Sequence, residues 1–263
     1  MNVMESGDVV GDGVADDQAA IQSVIGQAKD GDEVYFPSGK YLVDTLYVNG
    51  KNSVRLHGPG TIVTRNPNEV AMRVAVSPDG IRSSQVVVDG LTIKGAIVIN
   101  GARNVRITNC LFPRLRNCPG VRIFSAHDVT IENCTFDERP IGVECHSPDT
   151  LIRTNLFRGC QVAIESSSAA TMIDHNRMFP FPTDMGTGIL ISGKAQYKNL
   201  IQITHNHIGH PAGHAILCTS EPLSRNRCLV LGNQFMQVEG QALTHNVYVD
   251  LAEQQVVRVP RQF

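Results

Sequence analysis

The sequence predicts an all-β chain: a right-handed, single-stranded parallel β-helix, or solenoid, closed at its amino-terminal end by a capping α-helix. Two observations carry that prediction. A short apolar motif returns at intervals in the twenties, and a second set of alternating strands returns in step with it. A third, the single helical stretch ahead of both, supplies the cap that an open coil end requires.

In chain order the cap comes first. Ala20, Ile21, Val24, Ile25 and Ala28 recur at helical spacing, and Asp16 or Asp17 stands at the N-cap position. One face of this helix is apolar and needs a partner, which the exposed strand edges and bore of the first coil offer. The run Gly31-Asp-Glu-Val-Tyr-Phe-Pro-Ser-Gly-Lys-Tyr-Leu-Val43 then reads as turns and first strands.

The coils follow. Val105-Arg-Ile-Thr-Asn-Cys-Leu-Phe112 returns as Val129-Thr-Ile-Glu-Asn-Cys-Thr-Phe136 and as Leu151-Ile-Arg-Thr-Asn-Leu-Phe157. Fainter copies are Val87-Val-Asp-Gly90, Ile173-Asp-His-Asn176, Ile203-Thr-His-Asn206 and Val230-Leu-Gly-Asn233. The register positions are Val87, Ile107, Ile131, Ile152, Ile173, Ile203 and Val230, with Asn109, Asn133, Asn206 and Asn233 in one column at the turn, where stacked amides bond along the coil. A second strand recurs as Gly120-Val-Arg-Ile-Phe124, Gly142-Val-Glu-Cys-His146, Ala163-Ile-Glu-Ser-Ser167, Gly188-Ile-Leu-Ile-Ser192, Ala215-Ile-Leu-Cys-Thr219 and Ala242-Leu-Thr-His-Asn246. Alternation turns Val121, Val143, Ile164, Ile189, Ile216 and Leu243 inward, and likewise Ile123, Cys145, Ser166, Ile191, Cys218 and His245. A leucine-rich horseshoe lacks its fixed Leu-x-Leu-x-x-Asn here, and a sandwich predicts paired hairpins rather than one motif always in the same direction. The chain thus reads as one domain, with cap and first strands over about 11–43 and coils over about 50–259.

The stretch from 7 to 43, with its Gly11-Asp-Gly-Val-Ala-Asp-Asp-Gln-Ala-Ala-Ile-Gln22 and the run to Val43, resembles the amino-terminal signature of the pectate-lyase-like right-handed β-helix superfamily. Polygalacturonases, pectate lyases, alginate epimerases and phage tailspike depolymerases are its members. The resemblance implies a polysaccharide bound in a groove on the outer face of one sheet.

Composition narrows the partners. Lys plus Arg number 23 against 25 Asp plus Glu, a formal net charge of -2, so no global field favours a nucleic acid. Charged residues make up 18% and apolar ones 42%, which excludes a disordered chain, and no apolar run approaches a membrane span. Residues 1–17 carry Glu and Asp rather than a basic-then-apolar leader, so the expected location is the cytoplasm or a phage virion. The seven cysteines show no paired metal spacing and read as buried thiols. With no Trp and only 5% aromatics, stacking platforms for neutral sugars are scarce, and a charged substrate gains.

On the outward column of the second strand, Arg122, Glu144, Glu165, Leu190, Leu217 and Thr244 fall in line, and Phe124, His146, Ser167, Ser192, Thr219 and Asn246 form a parallel line. Glu144 and Glu165, one rung apart, are the expected acid and base of glycan cleavage or epimerisation, since neighbouring carboxylates repel and one pKa rises. His146 is the expected proton shuttle, Arg122 the clamp on a substrate carboxylate, and Phe124, Ser167 and Ser192 the binding wall. Gly213-His214-Ala215 looks like the Gly-His-Gly segment of polygalacturonases, which places His214 beside the cleft, although Gly159-Cys160 stands where that family carries paired aspartates. No cofactor and no metal is expected: the aspartates are scattered, and His205 and His207 alternate faces, which keeps them from meeting with His210.

Two rival functions remain at this level. One is a tailspike-like or adhesive module whose sheet face only binds. Val256-Val-Arg-Val259 runs to Phe263 without a capping helix, which invites a homo-oligomer, a trimer if spike-like. The other is a cytoplasmic enzyme acting on a small metabolite, with the groove closed by loops at 111–119 and 178–187.

Overall fold

The computed structural model describes residues 1–66, 70–168, 170–179, 186–192, 201–209, 215–218 and 228–235. They form a parallel β-solenoid with three sheets, one of nine strands, one of ten and one of eight, every pairing between them parallel. Each regular coil contributes one strand to each sheet in turn, as in Arg103–Thr108, Leu111–Phe112 and Val121–Phe124. The repeats identified in the sequence supply the nine-stranded sheet, and the second strands supply the eight-stranded one. The ten-stranded sheet is the element the sequence reading missed. Its strands are two to five residues long, and two of them, Leu111–Phe112 and Arg177–Phe179, fall in or run into the stretches expected to be loops at 111–119 and 178–187.

Packing explains the small residue that precedes each second strand. Phe112, Phe136 and Phe157 stack inside with centroids 4.6 and 4.8 Å apart, each pair contributing about 1 kcal/mol beyond its buried area. A Cβ at Gly142 would lie 2.5 Å from the Phe157 ring and from the Ala163 carbonyl, so the ring stack requires glycine there. Arg139, 1% exposed, donates to the carbonyls of Ile93 at 3.0 Å and Gly95 at 3.1 Å, and also to Cys118. Burial lowers its pKa to about 10.

The cap helix, Gln18–Gln27, buries Ile21, Val24 and Ile25 against the first coil. It also satisfies the edge of the eight-stranded sheet. Gln22 donates to the Tyr47 carbonyl at 2.9 Å and accepts from the Tyr47 amide at 2.8 Å, which closes two groups that an edge strand would leave open. Asp17 is the N-cap residue, yet its carboxylate turns back to the Val10 amide at 2.7 Å, while Asp16 accepts from the Gln18 amide at 3.1 Å. Both aspartates serve the helix start, by different contacts.

Two register expectations need correction. Ile107 stacks on Val88 rather than Val87, because Gly90 takes the turn position one residue earlier than the apolar pattern suggested. The asparagines also split into two columns. Asn109 and Asn133 are exposed and left-handed, with φ 54°, and they line up with Thr154, His175 and His205. The buried column is Cys110, Cys134, Asn155, Asn176, Asn206 and Asn233. There each amide oxygen accepts from the preceding rung, as Asn176 Oδ1 does from the Asn155 amide at 3.0 Å, and each amide nitrogen donates back to a carbonyl, as Asn176 does to Ile152 at 2.8 Å. Cys134 fills the same role more weakly, its thiol donating to the Ile107 carbonyl at 3.6 Å. Cys110, Cys118, Cys134, Cys145 and Cys160 are all buried, as composition suggested, and burial raises Cys160 to about 12.

Candidate functional site

The outer face of the eight-stranded sheet carries the chemistry. Rung by rung, Tyr47, Arg73, Val98, Arg122, Glu144, Glu165, Leu190 and Leu217 share one outward column. Its middle is charged and its far end apolar. Strands Val121–Phe124, Ile141–His146 and Val162–Ser166 position the charged part, since Ile123, Cys145 and Ser166 alternate inward and force their neighbours out. Phe124 pairs with His146 in the adjacent column, and Ser167 and Ser192 continue it.

Glu144 is the centre of the arrangement, with its side chain 13% exposed. Arg122 grips it with two nitrogens, Nε at 2.7 Å and Nη2 at 3.3 Å, a forked charge-assisted pair. His146 Nε2 meets Oε1, the oxygen that Nη2 also reaches, at 2.8 Å, and His146 Nδ1 reaches Ser167 Oγ at 2.5 Å. The His146 ring stacks on Phe124 at 5.1 Å, and Arg122 lies over the same Phe124 ring. Glu165, one rung on, accepts from Ser192 at 2.7 Å.

This geometry corrects the expected electrostatics. Burial alone would raise the Glu144 carboxyl, but the hydrogen bonds from Arg122 and His146 and their charges outweigh it and hold the carboxyl below its ordinary range. Glu144 is therefore an ionised carboxylate, and repulsion from Glu165 does not set its state. Arg122, expected to clamp the substrate, is engaged with the protein's own carboxylate. His214, Thr219, Leu243, Thr244, His245, Asn246 and the 256–259 run lie outside the described residues, as does His210.

A second cluster lies elsewhere, where the nine-stranded sheet turns into the ten-stranded one. Asp174 ends the strand Thr171–Asp174, and His175 and His205 take the left-handed turn positions of successive coils, with their rings 4.9 Å apart. His175 Nδ1 is 2.7 Å from one Asp174 oxygen and His205 Nδ1 3.4 Å from the other, which also accepts from Thr204 Oγ1 at 2.6 Å. The three ligand atoms lie within 4.8 Å of one another. Burial pushes the Asp174 carboxyl up, but Thr204 and the two histidines pull it below its ordinary range. A metal set along one strand at His205, His207 and His210 is not expected from the sequence. The convergent set runs across coils instead, and its only sequence signal is that Asp-His-Asn at 174–176 and Thr-His-Asn at 204–206 share a repeat position. His207 lies in the next strand, His207–Ile208, paired with Gln234.

Comparison with known proteins matches residues 1–79 to the family described as rhamnogalacturonase A/epimerase, pectate lyase-like, and residues 81–249 to the right-handed beta helix region family. The plasmin and fibronectin-binding protein A of Streptococcus pneumoniae is 30% identical, over 49% of this chain and 20% of that protein. Among solved structures, a mutant tailspike protein of E. coli bacteriophage HK620 in complex with a pentasaccharide superimposes with a TM-score of 0.62 at 14% identity, over 89% of this chain and 57% of that one. A Yersinia enterocolitica family 28 exopolygalacturonase gives 0.56 at 13% identity, over 89% and 63%. The chain thus spans about a fifth of the curated relative and under two thirds of either solved chain. At such identities these likenesses establish the fold.

Proposed function

The chain belongs to the right-handed β-helix family, and from that premise we propose that it is a carbohydrate-active enzyme that cleaves or epimerises an acidic glycan along the outer face of the eight-stranded sheet. One observation carries the reading: Glu144, largely buried yet ionised between Arg122 and His146, stands one rung from a second carboxylate, Glu165. In this assignment Glu144 is the base or nucleophile, Glu165 the acid, and His146 the proton shuttle, relayed by Ser167. Arg122 orients Glu144 and steadies developing charge. Phe124 and Ser192 form the wall, and His214 is retained as a cleft residue on the polygalacturonase likeness of its segment. Incubation with a panel of uronic-acid polymers, following reducing ends and ultraviolet absorbance together, separates hydrolysis from elimination. Full turnover by both Glu144→Gln and Glu165→Gln overturns the assignment.

The likeness to a pneumococcal plasmin- and fibronectin-binding protein favours one alternative, a non-catalytic adhesive or tailspike-like module. Saturable binding of a glycan or host protein to the same face, unchanged by both glutamine substitutions and without product, supports that reading, and a trimer in sedimentation strengthens it. The small-metabolite reading gains only if short substrates turn over and polymers do not.

A further inference from the structure

The corner cluster at 174–205 is separate from the proposed groove, and its donor types differ in kind. Both histidine rings present Nδ1 to one carboxylate, at 2.7 and 3.4 Å. Two imidazoles and a carboxylate are the donors a borderline divalent cation selects, and a soft-metal or calcium site would need thiolates or more oxygens. We propose that Asp174, His175 and His205 bind a divalent transition-metal cation of the zinc class, which staples the coil containing His175 to the coil containing His205.

Four features of the surroundings support the site. The donor atoms lie within 4.8 Å of one another, and tetrahedral zinc ligation at about 2.1 Å sets its donors about 3.4 Å apart, so the wider separations close and the 2.7 Å contact between His175 and Asp174 opens. That movement is open to the rings, whose side chains are 59% and 53% exposed. Arg153, the cation one rung before Asp174, is engaged by Glu132 at 2.9 and 2.6 Å, so that guanidinium does not compete for the Asp174 carboxylate. Thr204 holds that carboxylate from behind at 2.6 Å, an outer partner of the kind that orients metal ligands. On the far side stands Gly232, where a Cβ would come 2.8 Å from His205 Cδ2, so the next rung leaves the ring its room.

Ligating nitrogens must be free of protons, so affinity falls on acidification. The test titrates the full chain with Co2+ and then Zn2+ at neutral pH. One equivalent of Co2+ is expected to give a visible ligand-field band, which Zn2+ abolishes. Zn2+ at about a hundred times its Kd is expected to raise Tm by roughly 5 °C, while Mg2+ leaves it unmoved. His205→Ala is expected to weaken Co2+ binding at least about tenfold, and Asp174→Asn, which keeps the shape of the carboxylate, to do the same. His207→Ala is expected to bind as wild type does. Absence of the band, or its full retention in both Asp174→Asn and His205→Ala, overturns the proposal.

Discussion

Glu144 and Asp174 are two carboxylates built alike and bound for different work. Each ends up beside histidine on an outward column, each is held below its ordinary pKa range against burial, and each combines a histidine of its own rung with a partner from a neighbouring one. The difference lies in the permanent cation. Arg122 forks onto Glu144 and never gives up its charge, so that carboxylate stays ionised and aimed. Among the described residues Asp174 is held by two histidines and a hydroxyl, because the guanidinium of its preceding rung belongs to Glu132. Its imidazole partners are metal-ligand types. A solenoid thus makes different sites from one carboxylate by changing the residue one rung away.

The comparison breaks most sharply at the level of turnover. On whichever glycan is cleaved, Glu144→Gln is expected to lose on the order of 10²- to 10³-fold in kcat, while Asp174→Asn stays near wild type in metal-free buffer. The next largest effect tests the ladder beneath the histidine corner. Asn176→Ala removes the acceptor of the Asn155 amide and the donor to the Ile152 carbonyl, so it is expected to cost about 2–3 kcal/mol in denaturant unfolding. Cys134→Ala, at the weaker end of the same column, is expected to cost less. Replacing Arg122 by Met sharpens the electrostatic contrast. Burial then acts on Glu144 with less opposition, and the acid limb of the pH–rate profile moves up. The linked stability has a definite sign. Because the folded carboxyl is depressed, Glu144 stabilises above its unfolded pKa, and that contribution is lost as pH falls through the folded value. The Tm difference between wild type and Glu144→Gln is therefore expected to shrink on acidification below about pH 4. The smallest effect is that of Asp174→Asn on stability without metal, under about 1 kcal/mol, since its histidine partners are exposed.

The outward columns of the eight-stranded sheet were largely legible in the sequence. The alternation around Val121-Arg-Ile-Phe124, Val143-Glu-Cys-His146 and Ile164-Glu-Ser-Ser167 fixed which side chains face out, and the observed register matches it rung for rung. The hydrogen-bond partners were not legible. Whether Glu144 faces Glu165 or turns to Arg122 depends on rotamers, and an unlike charge one rung away wins over a like one. The asparagine column was misread for a related reason. Asn109-Cys110 and Asn133-Cys134 put the more conspicuous amide in the exposed left-handed position and the working donor, a thiol, in the buried one. Where Thr154-Asn155 and His175-Asn176 stand, the buried position holds the amide.

By itself the sequence determined a parallel coil, its cap and the composition of each outward column, because side-chain alternation and repeat length are local properties of the chain. The tertiary structure alone decided which side chains of the aligned rungs touch. Ile173 and Ile203 are thirty residues apart, while Ile131 and Ile152 are twenty-one apart. Backbone hydrogen bonding between rungs takes up that difference in the connections, and so brings Asp174, His175 and His205 to one corner.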